Sequence, residues 1–320
     1  MNEDFLINSY LKKLSKNNPY SLKLNDDVFF DKNKRLVISV DTYNEGIHFL
    51  NFKKPDLVIR KIIRSSISDI YAKGVKPKYF FLAGSANKKY FTKKNLSLIS
   101  KSLSNEQNKF NIKLSGGDTT SSKNLSFTVM SVGYSDKIVY RNKAKNGDDI
   151  YITGNVGDSY IGLKTLKNQI NLSFKQKKYF INKYYSPNLP IKFSSHLFKI
   201  ANCSMDISDG LIIDLNKLIN KQKFGYLINI NKIPKSNQLR QLIKNKKLKE
   251  LDYLFNGDDY QILFTASRSK RKYIKVLSSK MNQKISIIGQ INTKSKNYLL
   301  DEKIYPIKCL KYQGYSHIFK

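Results

Sequence analysis

Nine aspartates occupy places where a solvated acidic face would not put them. Asp26, Asp27, Asp41, Asp69, Asp118, Asp206, Asp209, Asp258 and Asp259 lie in apolar or glycine-rich stretches, in a 320-residue chain with only 24 acids against 58 basic residues. Buried or half-buried carboxylates need cations. Most lysines lie outside these stretches, so divalent metal is the better counter-charge, and carboxylate oxygens suit Mg²⁺. Two stretches add groups that can handle phosphate. In Ser115-Gly116-Gly117-Asp118-Thr119-Thr120 the glycines let backbone approach a ligand, and an Asp with two hydroxyls can hold metal and phosphate. Gly154-Asn155-Val156-Gly157-Asp158-Ser159 joins a strand to a helix, the arrangement that offers backbone N–H groups to phosphate. Each signal has a plain alternative. Asp41 equally starts a turn after a strand. Asp69 equally pairs with Lys73 one helical turn on. The Gly-Gly-Asp run equally reads as turn chemistry.

The elements that must position these residues are legible from periodicity. Residues 3–16 read as a short amphipathic helix, and Val28–Phe30 as a strand. Leu36–Val40 reads as a buried strand that ends on Asp41, with a polar turn through Thr42, Asn44, Glu45 and Gly46 before His48. Pro55 opens a helix with Val58, Ile62, Ile63, Ile67 and Ile70 on its apolar face, ended at Gly74. This leaves Asp69 in the last turn, where the helix dipole disfavours an acid. Tyr79–Ala83 is a short strand, 93–108 a helix with Leu96, Ile99 and Leu103 inward, and Leu125–Tyr134 an alternating strand. In the second half, 149–153, 226–230, 261–265 and 285–289 read as strands. Helices are expected after Asp209, over 235–251 and over 268–281. Intermixed strands and helices give an α/β (α+β) chain with mixed sheets flanked by helices. The length suits two domains, 1–140 and 141–320.

The net charge of +34 raises a basic nucleic-acid-binding protein as one reading. Its distribution argues otherwise. The basic residues are overwhelmingly Lys, on nearly every segment, whereas bidentate recognition of bases and phosphates prefers Arg. No nucleic-acid partner is therefore expected, although the field would draw in anionic small molecules. No apolar run reaches a membrane span, and the N-terminus lacks a signal-peptide pattern. Cys203 and Cys309 match no metal spacing, so a reducing cytoplasm is the default compartment. There is no Walker A motif and no protein-kinase signature set.

Taken in order, N-D-D, V-D-T-Y-N-E-G-I-H-F, S-I-S-D-I-Y-A-K-G-V-K-P, S-G-G-D-T-T, R-N-K-A-K-N-G-D, T-G-N-V-G-D-S, M-D-I-S-D-G-L, N-G-D-D-Y and G-Y-S-H span nearly the whole chain. Each is weak alone. In register, the set strongly resembles the thiamine-monophosphate kinase family, of the superfamily that includes aminoimidazole ribonucleotide synthetase. The D-T-x-x-E-G-x-H-F stretch points to this member over its relatives. The resemblance implies a two-domain fold, a homodimer paired through N-terminal strands, and transfer of phosphate from ATP to thiamine monophosphate, with several Mg²⁺ ions between the domains. It places the metal role on Asp27, Ser39, Val40, Asp41, Asp69, Asp118, Asp206 and Asp209, with Asp41, Asp118 and Asp209 as the expected catalytic set. Gly117, Asp118, Arg141 and Ser208 match ATP-contacting positions. His48, Asp258 and Tyr315 match positions that contact the thiamine substrate.

The chemistry is consistent with those residues. The acceptor phosphate oxygen is already ionised near neutral pH, so no strong base and no covalent intermediate are needed. His48 is then a binding or positioning group, and Tyr315 a ring to stack on. The chain departs from the family pattern at several points. Asn25 and Asn256 replace glycines, and Ser66 replaces an Asn. Val40 stands where a Thr often ligates, leaving only its backbone carbonyl. Asp258 replaces Glu, and Gln261 replaces the last acid of the same loop. Another ATP-using member of the superfamily with a different small acceptor is the neighbouring reading.

Overall fold

In the computed structural model, residues 3–307 are described, apart from 246, 249, 250, 295 and 302. The alternating segments of the first half build a five-stranded sheet: β1 (Phe29–Asp31), β2 (Leu36–Asn44), β3 (Pro77–Ala86), β4 (Lys113–Ser121) and β5 (Ser126–Tyr134), in the order β1-β2-β5-β3-β4. Only the β3–β4 pair is parallel; it is joined by helix α2 (Lys93–Phe110), and α2 packs on α1 (Pro55–Ala72). Val58, Ile59, Ile62, Ile63, Ile67 and Ile70 of α1 are all buried, as the apolar stripe dictates. On α2, Ile99, Leu103 and Phe110 are buried, while Leu96 is left exposed. The first helical stretch, from Glu3 to Leu14, has Phe5, Tyr10 and Leu14 exposed, so its amphipathic pattern finds no core here.

Two segments differ from their sequence reading. Asp41 does not end a strand. β2 continues to Asn44, with Asp41, Thr42, Tyr43 and Asn44 opposite Val129, Thr128, Phe127 and Ser126 of β5. The period of two then puts Ser39, Asp41 and Tyr43 on the face covered by α1, and Val40 on the opposite face, 59% exposed. Nor is Ser115–Thr120 a loop: it is the middle of β4, an edge strand exposed along its whole length. Its glycines serve the sheet. A Cβ on Gly117 would lie 1.8 Å from the Leu82 carbonyl oxygen, so the close backbone approach here is made with β3.

The second half forms a seven-stranded sheet of β6 (Asp149–Thr153), β7 (Cys203–Asp206), β8 (Gly225–Asn229), β9 (Ile262–Ala266), β10 (Ile285–Asn292), β11 (Asn297–Leu300) and β12 (Ile304–Pro306). The order is β12-β11-β8-β10-β6-β9-β7, antiparallel except for β11–β8. Helices α3 (Asp158–Leu166), α4 (Phe174–Tyr185), α5 (Leu211–Leu218), α6 (Asn237–Lys244) and α7 (Arg271–Lys280) accompany it. The Lys-rich helix expected over 235–251 is shorter than its pattern; it starts from the Ser236 N-cap and stops at Lys244. Tyr184 and Tyr185 of α4 bury themselves in the core under the first sheet, and α1 packs on β7. The seam between the two sheets is therefore lined by α1 and the end of β7.

Candidate active site

The aspartates converge on that seam. Asp41 projects from β2, Asp69 from the last turn of α1, Asp206 from the end of β7, and Asp27 from the turn before β1. Single oxygens of Asp27, Asp69 and Asp206 all lie within 4.8 Å of one another. Small hydroxyls hold two of them: Ser39 Oγ donates to Asp69 at 2.5 Å and Ser68 Oγ to Asp206 at 2.5 Å. Ser66 meets Ser131 of β5 at 2.8 Å, beneath Asp41. Lys73 does not pair with Asp69 one turn away. Its ammonium turns instead to Asp26 and Asp27, 2.6 Å from each. Arg141 grips Asp27 from the other side, with Nε at 3.1 Å, while its backbone N–H donates to Asp26.

Electrostatics mark which acids lack counter-charge. Burial, then the charge of Asp206, pushes the Asp41 carboxyl up to about 7. Burial, then Asp41 and Asp206, holds Asp69 well above the usual carboxylate range. Burial raises Asp206 as well, against the pull of Ser68, Lys73 and Arg141. Hard carboxylate oxygens crowded together with too little positive charge fit Mg²⁺ in their chemistry.

Further along the seam, Tyr184 and Lys61 link His48 to Asp258. The His48 ring lies edge-on to Tyr43, its Nδ1 accepts from the Asn44 N–H at 2.9 Å, and its carbonyl accepts from Tyr184 Oη. Asp258 is engaged from within. Lys61, wholly buried in α1, puts its ammonium 2.6 Å away, and Tyr260 Oη donates to the same oxygen at 2.9 Å. Lys61 also sits 3.9 Å over the Tyr184 ring. Burial lowers the Lys61 ammonium and Asp258 opposes the shift. The loop of Asp258 meets the loop of Ser208: Asp258 N–H donates to the Ser208 carbonyl, and a Cβ on Gly257 would fall 1.7 Å from that oxygen.

Comparison with known proteins now decides the family. Residues 24–135 match the model of the AIR synthase related protein N-terminal domain. The thiamine-monophosphate kinase of Buchnera aphidicola from Schizaphis graminum is 36% identical over 99% of this chain and 98% of its own. The chain belongs to the thiamine-monophosphate kinase family. That of Escherichia coli K12 is 30% identical over 88% of this chain and 86% of its own. The solved structure of AaThiL complexed with AMPPCP and TMP superposes with a TM-score of 0.86 at 26% identity, covering 99% of this chain and 97% of that one.

Within this kinase the remaining expected residues fall in different places. Asp209 is reached by Lys217 Nζ at 2.5 Å, and Ser208 lies beside it on the loop between β7 and α5. Gly117 and Asp118 lie on the exposed edge strand; Asp118 accepts from the Thr119 N–H, and among the described residues no hydrogen bond or ion pair ties it to Asp41, Asp69 or Asp206. Tyr315 lies outside the described residues. The helix N-terminus at Gly157–Ser159 is not open to phosphate. The carboxylate of Asp259 fills it, accepting from Gly157 N–H at 2.7 Å and facing Ser159 N–H at 3.5 Å.

Asp214 is the residue that sequence reasoning missed. One carboxylate oxygen accepts three backbone N–H groups, those of Ser208, Asp209 and Gly210, each at 3.0 Å. It holds the loop of two candidate ligands in shape from inside the kinase. Its sequence signal, an acid in the first turn of a helix, is ordinary dipole chemistry and gives no hint of this. Asp214→Ala is expected to cost roughly 3 kcal/mol, because three hydrogen bonds are lost and the loop's N–H groups, that of Gly210 buried, are left unpaired. Urea denaturation reads that loss, and turnover should fall with it as Ser208 and Asp209 lose their places.

Proposed function

We propose that this chain transfers the terminal phosphoryl group of ATP directly to the phosphate of thiamine monophosphate, giving thiamine diphosphate and ADP, with several Mg²⁺ ions bound at the seam. The observation that carries the reading is the meeting of Asp27, Asp41, Asp69 and Asp206, from both halves of the chain, with too little charge to balance them. All the reacting groups are anionic, and bound Mg²⁺ would neutralise their repulsion and the charge of the transferring group. Asp41, Asp69, Asp206 and Asp209 are the side chains that would hold it, with Ser39 orienting Asp69. Arg141 and the Ser208 loop are the nucleotide contacts in this reading. His48 and Asp258 form the acceptor end, and Lys61 and Tyr260 fix the Asp258 carboxylate.

The two halves, 1–140 and 141–320, act as two domains in this reading. The working form is a homodimer. The uncovered face of the first sheet supports this: Val40 and Tyr134 are 59 and 49% exposed on it, and the sheet ends in a nine-residue edge strand exposed along its whole length. No helix among the described residues is long and apolar enough to cross a membrane, and Cys203 is a free buried thiol, which supports a reducing cytoplasm as the compartment. The test is direct. The pure protein is incubated with ATP, Mg²⁺ and thiamine monophosphate, and thiamine diphosphate and ADP are sought by chromatography. Both should appear in equal amounts and vanish with chelator. No product above a no-enzyme control would sink the assignment.

A further inference from the structure

We propose that Lys73 is a resident cation of this active site. It holds the position between Asp26 and Asp27 that a divalent ion would otherwise take, so that metal gathers on the Asp41, Asp69 and Asp206 side. This rests on the metal reading above. An ammonium has three donors, and each meets an acceptor here: Asp26 Oδ1 at 2.6 Å, Asp27 Oδ2 at 2.6 Å and the Ser204 carbonyl at 2.9 Å. The side chain is 0% exposed. Its backbone is pinned as well, the N–H donating to Asp69 and Ile70 carbonyls and the carbonyl accepting from Val139.

The second lysine at the site provides a contrast. Lys217 reaches Asp209 at 2.5 Å, but its side chain is 36% exposed and has a way out to water. A ligand can displace Lys217 at small cost. Displacing Lys73 would strand a buried ammonium, which is prohibitive. Asp27 therefore meets any ion that Asp69 and Asp206 hold with its own charge already shared between Lys73 and Arg141. Lys73 thus acts through Asp27 as a positioning residue, and it sets how many divalent ions the site accepts.

A plainer role, an ion pair that only staples the 26–27 turn to α1, predicts a loss of stability on substitution and no change in metal binding. Metal stoichiometry separates the two. Mn²⁺ binding to the nucleotide-free protein is measured by titration calorimetry and by electron paramagnetic resonance, for wild type and Lys73→Met. Methionine keeps the unbranched length and removes the charge. One more Mn²⁺ per chain in the variant, or the same number bound at least tenfold tighter, supports the inference. The same number at the same affinity overturns it. No Mn²⁺ in either protein sinks the metal reading itself, and this inference with it, a result distinct from equal binding in both. If the variant does not fold, wild type can still overturn the inference: in protein carrying ¹⁵N on lysine Nζ, the protected Lys73 ammonium resonance should stay in place at saturating Mg²⁺. Its loss to the free-lysine position would overturn the inference.

Discussion

Asp41→Asn is expected to lower turnover by about a thousandfold or more while the fold survives. Asparagine keeps the size and the place of the side chain in the middle of β2, so the register with β5 from Leu36↔Tyr134 to Asn44↔Ser126 has no reason to slip. What goes is the charge. Asp41 faces Asp206 and Asp69 at the seam, and its raised pKa reports first its burial and then the negative charge of Asp206 beside it. That arrangement is costly to the apoprotein and useful only when a cation enters. The substitution should therefore separate stability from activity. In chelator, the variant should melt at or above the wild-type temperature, because one repulsive partner is gone. In Mg²⁺, it should bind nucleotide more weakly and turn over far more slowly. The measurements are kcat with saturating Mg²⁺ and thermal melts in chelator. Wild-type-like turnover would remove Asp41 from the metal shell, and a large drop in melting temperature would make its role structural.

The aspartates at the seam were legible because each breaks a local rule. Asp69 opposes the dipole at a helix end, Asp41 ends an apolar run, Asp206 sits between Met205 and Ile207, and no lysine stands near enough in sequence to excuse them all. Their partners were not legible. Lys61 meets Asp258 and Lys73 meets Asp26 and Asp27 only because α1 runs along the seam. Nothing in a helical stripe says where a buried ammonium points. Asp214 was hidden for the opposite reason: it obeys the local rule for a first helical turn and does its work through three backbone groups behind it.

The strand errors share one cause. Ser115–Thr120 and Thr42–Asn44 are rich in residues that favour turns, yet both become strand because neighbouring strands offer a ladder, and tertiary pairing outweighs so weak a preference. The second error matters for chemistry. Running β2 through Asp41 is what turns Ser39, Asp41 and Tyr43 to one face and Val40 to the other. A loop would have left that choice open. Likewise the Gly154–Ser159 segment has the shape of a phosphate cradle, and only the distant Asp259 shows that the cradle is filled from inside.

In the absence of divalent metal, the melting temperature is expected to fall by several degrees as pH rises from about 5 to about 7.5, and saturating Mg²⁺ should abolish that fall. The sign follows from the direction of the shifts. Asp41 titrates near 7 in the folded chain, and Asp69 and Asp206 are also raised, whereas in the unfolded chain such groups release their protons near pH 4. Between those limits the native state holds protons that the unfolded state has already lost. Raising the pH then favours unfolding: the stabilisation is complete below about pH 4 and is gone once the folded groups ionise. Mg²⁺ binds only the ionised carboxylates, so its contribution grows over the same window and opposes the loss. Melts in chelator and in Mg²⁺ at half-unit steps of pH provide the comparison. Parallel curves would mean that the crowded acids are not where metal binds. Asp41→Asn supplies the internal control, since it removes one member of the coupled set, and its chelator curve should be flatter than that of wild type.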